Sequence, residues 1–306
     1  MVSFSIQDYF QYCDQLELDW REQVSAIKTN DPFLSRSTVL AGKPYFDVMP
    51  EPFLGDPDNC SIVMINLNPG YTAEDKDDGV KADEDVLSRK AAATLCKNGY
   101  SSYAKPFPHL DDNPPHPSGA EWWKGRTDYL NRLVYQYKDI PADTIKPRPF
   151  AIELCPWHSH KWEEAKIVID SVIYSQMQKR TLAPAFYAIR HSMVDFALAV
   201  GAAAIPVLEQ NGFKLVQSFG PTKDIEGKPY PRVTDNNISF PNYPKTTKKR
   251  KGVKIGESDA EVFYKYYKKG DLKVLSVSKT GSNNTPGPDY AKLGIEKVIL
   301  DFIKTH

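Results

Sequence analysis

The chain has few cysteines, and none of them stands in a Cys-x-x-Cys pair. Its four cysteines, Cys13, Cys60, Cys96 and Cys155, lie far apart in a sequence of 306 residues. This scatter differs from the framework of a small disulfide-bonded domain and from the ligand set of an iron–sulfur cluster. We therefore expect reduced thiols and a cytoplasmic protein.

Long apolar runs and an excess of charge of either sign are also missing. No basic segment followed by an apolar stretch opens the sequence, and no window reaches the length of a membrane span, which predicts no membrane partner. Basic and acidic residues number 39 each, so no global field attracts nucleic acid. A nucleic-acid-binding protein of this composition needs its basic residues concentrated on one face. The run Lys245–Lys254, with six Lys or Arg in ten positions, is the main candidate.

The sequence does contain four short apolar runs of the kind found in strands that are buried on both faces. These runs cover residues 62–67, 150–154, 195–200 and 272–277. Helical patterns alternate with them, at residues 5–26, 83–97, 125–137, 166–178, 183–193, 258–269 and 290–303, with a short helix after Gly201. Strands that alternate with helices predict an α/β fold in which a parallel sheet is covered on both faces.

A turn follows the first apolar run directly. Pro69 fixes its own backbone dihedral and donates no hydrogen bond, and Gly70 allows a sharp change of direction. Because ligands of open α/β sheets bind at the carboxyl ends of strands, Asn68 becomes a candidate site residue. The alternative is that Asn-Pro-Gly is only a turn at the end of a core strand.

The stretch Asn66–Gly70 reads Asn-Leu-Asn-Pro-Gly and resembles a known motif. It is similar to the Gly-x-Asn-Pro-Gly motif of the mismatch-specific and single-strand-selective branches of the uracil-DNA glycosylase superfamily. Asn66 stands where that family usually has glycine. The lead-in Pro52–Pro57 also looks like that fold's approach to its first strand.

This resemblance implies a fold and a division of the chain. The implied fold is a three-layer α/β/α sandwich with a four-stranded parallel central sheet. Residues 1–49 would form an amino-terminal helix and an extended lead-in. Residues 50–306 would form the uracil-DNA glycosylase-like domain, with insertions near residues 98–125 and 217–256.

The resemblance also implies roles for the residues of the motif. Removing a base requires a positioned water below the sugar and a pocket that holds the extruded base. In the family, the asparagine that Asn68 matches holds the water through its side-chain carbonyl. The strict uracil enzymes carry a bulky tyrosine where Gly70 stands, so glycine implies a roomier pocket. Asn66, Pro69, Gly70 and Tyr71 are the residues of this stretch that the resemblance assigns to substrate binding.

Glu153 lies at the end of the second apolar run, near the position where the family places an asparagine that reads the base. As a carboxylate it would accept hydrogen bonds only, which suits an amino-bearing edge such as that of cytosine or guanine. We therefore assign it, with Asn68, to the candidate catalytic residues. The alternative is a strand-end glutamate that pairs with a nearby lysine or arginine.

The second motif of the family, His-Pro-Ser or a relative, belongs in the loop after the last strand. Here that loop is Ser278–Asn284, and it has no histidine. Its hydroxyl, amide and backbone groups are candidates for phosphate binding. The residues assigned to substrate are Ser278, Lys279, Gly281, Ser282 and Asn283. A literal His116-Pro117-Ser118 lies in the insertion after the first strand, outside the order of the family.

Ligand types for zinc occur after the second strand, at Cys155, His158 and His160. Their spacing, Cys-x-x-His-x-His, fits no common zinc pattern and shows no fourth ligand, so we predict no metal and no other cofactor. A metal-dependent hydrolase built on these three residues is the weakest alternative function. Trp157 and His158 are instead candidates for contact with a base, although tryptophans here also suit packing.

The expected function is that of a DNA base glycosylase-like protein with a preference other than plain uracil. Its partner would be nucleic acid, DNA rather than RNA, and the basic run would supply phosphate contacts. The alternative is a non-catalytic member of the fold that binds a nucleotide, nucleic acid or a protein. The missing histidine favours the binder, whereas the intact Asn-Pro-Gly favours the enzyme. We expect Asn68, Glu153 and residues 278–283 to converge on one cleft.

Overall fold

The computed structural model describes residues 6–22, 51–67, 117–145, 148–158, 182–221, 237–238, 262–279 and 295–306. The helices in these residues are α1 (Ile6–Glu22), α2 (Pro117–Lys138), α3 (Ala183–Ile189), α4 (Ala204–Gln210) and α5 (Ile295–Thr305). The strands are β1 (Phe53–Leu54), β2 (Ile62–Asn66), β3 (Pro149–Glu153), β4 (Phe196–Val200), β5 (Lys214–Phe219), β6 (Asn237–Ile238), β7 (Val262–Lys269) and β8 (Leu272–Lys279). The prediction that the chain combines α-helices with β-strands is confirmed.

The chain divides into two compact units. The first contains Met1–Lys124 and Pro147–Met193, and the second contains Gly125–Lys146 and Val194–His306. Both units therefore combine segments that are distant in sequence. None of the described helices has the length and apolar character that a membrane span requires.

The first unit contains β1, β3 and β2, in that order. β2 runs parallel to β3, in a register that begins with Ile62 opposite Pro149 and ends with Asn66 opposite Glu153. β1 pairs antiparallel on the other side of β3. Every residue of β2 and β3 is buried, as expected for short runs that are mostly apolar.

Helix α1 covers the first unit through a cluster of aromatic side chains. The centroid of the Phe53 ring lies 5.8 Å from that of Tyr9, 5.6 Å from that of Phe10 and 5.7 Å from that of Phe150. The hydroxyl of Tyr9 donates a hydrogen bond to the carbonyl oxygen of Pro52 at 3.2 Å. These contacts fix α1 to the lead-in that precedes β2.

Gly55 turns the chain immediately after β1. Its φ is +97°, and a Cβ atom at this position would lie 2.3 Å from the backbone oxygen of Pro149. A side chain here therefore meets both an unfavourable backbone conformation and a neighbouring strand that cannot move aside.

We expect Gly55→Ala to lower the free energy of unfolding by about 2–4 kcal/mol, because backbone strain and a steric clash add. Gly270→Ala is the matched control, since Gly270 has a φ of +58° but no atom within 4 Å of the position that a Cβ would take. Gly270→Ala should lower the free energy of unfolding by about 1–2 kcal/mol. Urea denaturation followed by circular dichroism measures both. Equal losses would mean that the Pro149 carbonyl shifts without cost.

The second unit contains β4, β8, β7, β5 and β6, in that order. β4 runs parallel to β8, while β7 pairs antiparallel with β8 and with β5. Helices lie on both faces. On one face the Tyr267 hydroxyl donates to Glu209 of α4 at 2.9 Å. On the other, Phe302 of α5 contacts Tyr266 and Phe219, with ring centroids 6.1 and 5.5 Å apart.

All four predicted strands are present, as β2, β3, β4 and β8. Their pairings, β2 with β3 and β4 with β8, are the parallel ones that alternation with helices predicts. The prediction of a helix over residues 258–269 is wrong, since Val262–Lys269 is the strand β7. Its antiparallel pairings make the strand arrangement mixed rather than purely parallel, and β1, β5 and β6 are further strands that the sequence patterns did not reveal.

Several predictions fall outside the described residues. They include the helices at 83–97 and 166–178, most of the insertion near 98–125, and the basic run Lys245–Lys254. The boundary between residues 49 and 50 stays a prediction.

Candidate functional site

Two polar side chains meet at the carboxyl ends of β2 and β3. Asn66 ends β2 and Glu153 ends β3, and the two residues are register partners, so their side chains lie on the same face. The Asn66 Nδ2 group donates a hydrogen bond to Glu153 Oε1 at 2.9 Å. This is the strand edge at which α/β proteins bind their ligands.

Backbone hydrogen bonds hold this edge rigidly beyond the ends of the strands. The N–H group of Leu154 donates to the Asn66 oxygen at 3.0 Å, and that of Cys155 donates to the Leu67 oxygen at 2.8 Å. On the other side of β3, the Glu153 N–H donates to the Pro52 oxygen at 3.0 Å. Glu153 is therefore fixed from both sides, which gives its side chain a defined position.

Each side chain of the pair has one further oxygen that forms no hydrogen bond within the described residues. Asn66 is 5% exposed and Glu153 is 6% exposed. Within the described residues, neither Asn66 Oδ1 nor Glu153 Oε2 has a hydrogen-bond partner. Because buried polar atoms in folded proteins are nearly always hydrogen-bonded, two open oxygens in one buried pair indicate a place where a ligand or water binds.

The environment of Glu153 favours its neutral form. Burial raises the pKa of its carboxyl well above the usual range, and the charge of Glu51 raises it further, whereas the hydrogen bond from Asn66 lowers it. Tyr9 of α1 faces the same region, and burial raises the pKa of its phenol as well. Burial therefore favours the protonated form of Glu153, whereas the sequence suggested an ionised carboxylate.

The alternative prediction for Glu153, a salt bridge with lysine or arginine, has no counterpart among the described residues. In the described part of the chain the hydrogen-bond partner of its side chain is an amide. No basic residue there forms an ion pair with it.

The other predicted site residues divide into three groups. Trp157 is completely buried, so its ring is part of the core, and His158 is partly exposed. Ser278 and Lys279 belong to β8 of the second unit rather than to a loop, opposite Phe263 and Val262 of β7. The remaining residues lie outside the described part of the chain: Asn68, Pro69, Gly70, Tyr71, Gly281, Ser282 and Asn283. The predicted convergence on one cleft therefore stays a prediction.

Side chains that could act as metal ligands do not cluster in the described residues. Among those residues, no three His, Cys, Asp or Glu side chains lie close enough to hold a metal ion. Cys155 is buried and forms no disulfide, and His160 lies outside the described residues.

A second polar cluster, which the sequence did not reveal, lies in the second unit. Arg132 Nη2 of α2 pairs with Glu296 Oε1 of α5 at 3.2 Å. The Arg132 guanidinium carbon also lies 5.5 Å from the centre of the Tyr129 ring, whose hydroxyl is 3.4 Å from that of Tyr264. The cluster joins α2 to α5 and to β7. No local sequence pattern predicts this cluster, because 164 residues separate Arg132 from Glu296.

Comparison with family models, with curated proteins and with solved structures gave no match for this chain. Unpartnered buried atoms occur in both clusters, since Arg132 Nε and Glu296 Oε2 also lack partners among the described residues. The Asn66–Glu153 pair is the candidate site because it lies at the strand edge typical of ligand binding.

Proposed function

We propose that this chain is a nucleic-acid-directed protein that binds a nucleobase beside Asn66 and Glu153 and cleaves its N-glycosidic bond. The observation that carries the proposal is the buried pair at the ends of two parallel strands, with one open oxygen on each partner. Buried hydrogen-bonding groups of this kind suit the edge of an extruded base. The similarity of Asn66–Gly70 to a glycosylase motif supports the same reaction.

The chemistry assigns separate tasks to two residues. Cleavage adds the oxygen of water to the anomeric carbon of the sugar, breaks the bond to the base nitrogen, and returns a proton to the departing base. Asn68, two residues after Asn66, orients the water through its side-chain carbonyl, as the motif implies. An amide is a weak base, so most of the rate must come from stabilising the leaving base.

Glu153 suits the second task. A carboxyl whose pKa is raised by burial keeps its proton and can donate a hydrogen bond to the base as negative charge develops there. This assignment gives the reaction an acid although the sequence Ser278–Asn284 contains no histidine.

A second candidate function is nucleobase binding without cleavage. The absence of histidine from Ser278–Asn284 favours it, because the second motif of the glycosylases is then incomplete in this sequence. Under this alternative, Asn66 and Glu153 recognise the base, and no residue needs to activate water.

Incubation with oligonucleotides that carry modified bases, followed by alkaline cleavage at abasic sites, decides between the two. We expect weak or no release of uracil from duplex DNA and release of a different base. Asn68→Ala should lower that release about a hundredfold, the typical cost of one lost transition-state interaction, while oligonucleotide binding persists. Asn59→Ala is the matched control, because Asn59 is an exposed asparagine before β2, at the opposite end from Asn66.

Three outcomes would contradict these assignments. Robust uracil excision would overturn the expected preference. Excision unaffected by Asn68→Ala would overturn the role of that residue. Binding without excision of any base on the panel would leave the binder as the function of the chain.

A further inference from the structure

The hydrogen-bonding atoms of the Asn66–Glu153 pair restrict the chemistry of the ligand more closely than the position of the pair at the strand ends does. Asn66 Nδ2 can only donate, so Glu153 Oε1, which lies 2.9 Å away, must act as an acceptor. Two oxygens remain open: the amide Oδ1 of Asn66 and the carboxyl Oε2 of Glu153. The first can only accept a hydrogen bond. The second accepts in the carboxylate and donates in the carboxylic acid.

The groups that face Glu153 determine which form it takes. Glu51 on the lead-in adds a negative charge, and Tyr9 on α1 is a phenol that stays neutral in its buried position. Strand β2 brings Asn66 and no titratable side chain. No cation in the described residues pairs with the Glu153 carboxyl. Burial beside another carboxylate favours the acid, and its proton then lies on Oε2 because Oε1 accepts from Asn66.

We propose, on the basis of the proposed function, that this pair binds the amidine edge of cytosine or adenine. Glu153 Oε2–H donates to the unprotonated ring nitrogen, and Asn66 Oδ1 accepts from the exocyclic amino group. The pair is then complementary to a neutral edge on which an acceptor stands beside a donor. An ionised Glu153 would instead place two acceptors against the base and would repel the lone pair of the ring nitrogen.

Replacement of a single atom of the ligand tests this assignment without any change to the protein. In 3-deazacytidine and 1-deazaadenosine, the ring nitrogen beside the amino group is a C–H group, and the amino group is kept. We expect each deaza compound to bind at least about tenfold more weakly than cytidine or adenosine in isothermal titration calorimetry, because the buried Glu153 donor loses its acceptor.

Protein variants supply the second test. Glu153→Gln replaces the acid by an amide that donates and accepts at the same positions and cannot ionise. Affinity of the wild type for cytidine should fall as pH rises through the pKa of Glu153, since the donor is lost on ionisation. Glu153→Gln should bind cytidine with an affinity that does not change over the same pH range. Asn59→Gln, at an exposed asparagine, should retain the pH dependence of the wild type.

Each outcome supports or overturns a defined statement. Weaker binding of the deaza compounds, together with loss of the pH dependence in Glu153→Gln, supports the proposal. Equal binding of cytidine and 3-deazacytidine, and of adenosine and 1-deazaadenosine, overturns it while nucleobase binding stands. Absence of binding by all four compounds, and by oligonucleotides, overturns the proposed function itself.

Discussion

Phe53→Ala should lower the free energy of unfolding of the first unit by about 3–5 kcal/mol, the usual cost of removing a fully buried phenylalanine. Phe53 is completely buried between α1 and β3. Its ring contacts Tyr9, Phe10 and Phe150 at centroid distances of 5.6–5.8 Å. The substitution therefore removes the burial of one large ring and three aromatic contacts, each worth about 0.5–1.5 kcal/mol beyond area alone.

Urea denaturation followed by circular dichroism measures this loss. Phe53→Leu is the matched control, and it should cost about 1–2 kcal/mol because it keeps much of the buried volume. Ile238→Ala, at a side chain that is 38% exposed, should change stability by less than about 0.5 kcal/mol. A loss below about 1 kcal/mol for Phe53→Ala would mean that neighbouring side chains fill the cavity.

The same substitution should also weaken the candidate site. Phe53 directly follows Pro52, whose carbonyl oxygen accepts hydrogen bonds from the Glu153 N–H group and from the Tyr9 hydroxyl. Loosening α1 from β1 therefore frees one of the backbone contacts that hold Glu153. Packing in the first unit and the geometry of the site are thus linked through a single carbonyl group.

Arg132→Met should lower the free energy of unfolding by about 2–3 kcal/mol at neutral pH and by much less in acid. Glu296 is 1% exposed and Arg132 is 27% exposed, so the loss stays below the 3–5 kcal/mol or so expected for a fully buried pair. Burial already raises the pKa of Glu296, while its backbone hydrogen bond and Arg132 lower it. Without Arg132 the ionised carboxylate has no compensating charge at this contact.

The pH dependence follows from the sign of this shift. The pKa of Glu296 is higher in the folded protein than in the unfolded chain. Its ionisation therefore lowers stability as pH rises through the folded pKa, and this loss is absent below the unfolded pKa. Arg132→Met raises the folded pKa further. Below both pKa values Glu296 is neutral in the wild type and in the variant, and the difference between them disappears.

Two controls separate charge from packing. Arg132→Met combined with Glu296→Gln should recover much of the loss at neutral pH, because no buried charge remains. Lys297→Met should change stability by less than about 0.5 kcal/mol, since Lys297 and its partner Asp301 are 63% and 52% exposed. An equal loss for Arg132→Met at neutral and acid pH would show that packing of the arginine stem accounts for the effect.

The parts of the fold that the sequence revealed are those in which a short segment suffices to define the structure. β2, β3, β4 and β8 are apolar runs bounded by polar or turn residues, and burial on both faces produces that pattern directly. The sequence of β7 is not such a bounded apolar run. Val262, Phe263, Tyr266 and Tyr267 also fit one face of a helix, and only pairing with β8 makes the alternation of the tyrosines decisive.

The site was predictable to a similar extent. The position of Glu153 at the end of a buried strand follows from the local sequence. Its protonation does not, because the groups that desolvate it and act on its charge, such as Glu51 and Tyr9, come from segments far away in the chain. The hydrogen bond from Asn66 likewise depends on the register of β2 and β3, which neither strand encodes alone.

The discontinuous composition of the second unit has a consequence for biosynthesis. Arg132 leaves the ribosome 164 residues before Glu296. At roughly 5–20 residues per second, translation of this interval takes about 8–33 seconds. Until then α2 has no α5 to pack against, and its Tyr129 side chain lacks its β7 neighbour Tyr264 until 135 further residues have been added. The apolar side chains of the α2 segment therefore lack their partners from α5 for many seconds during synthesis.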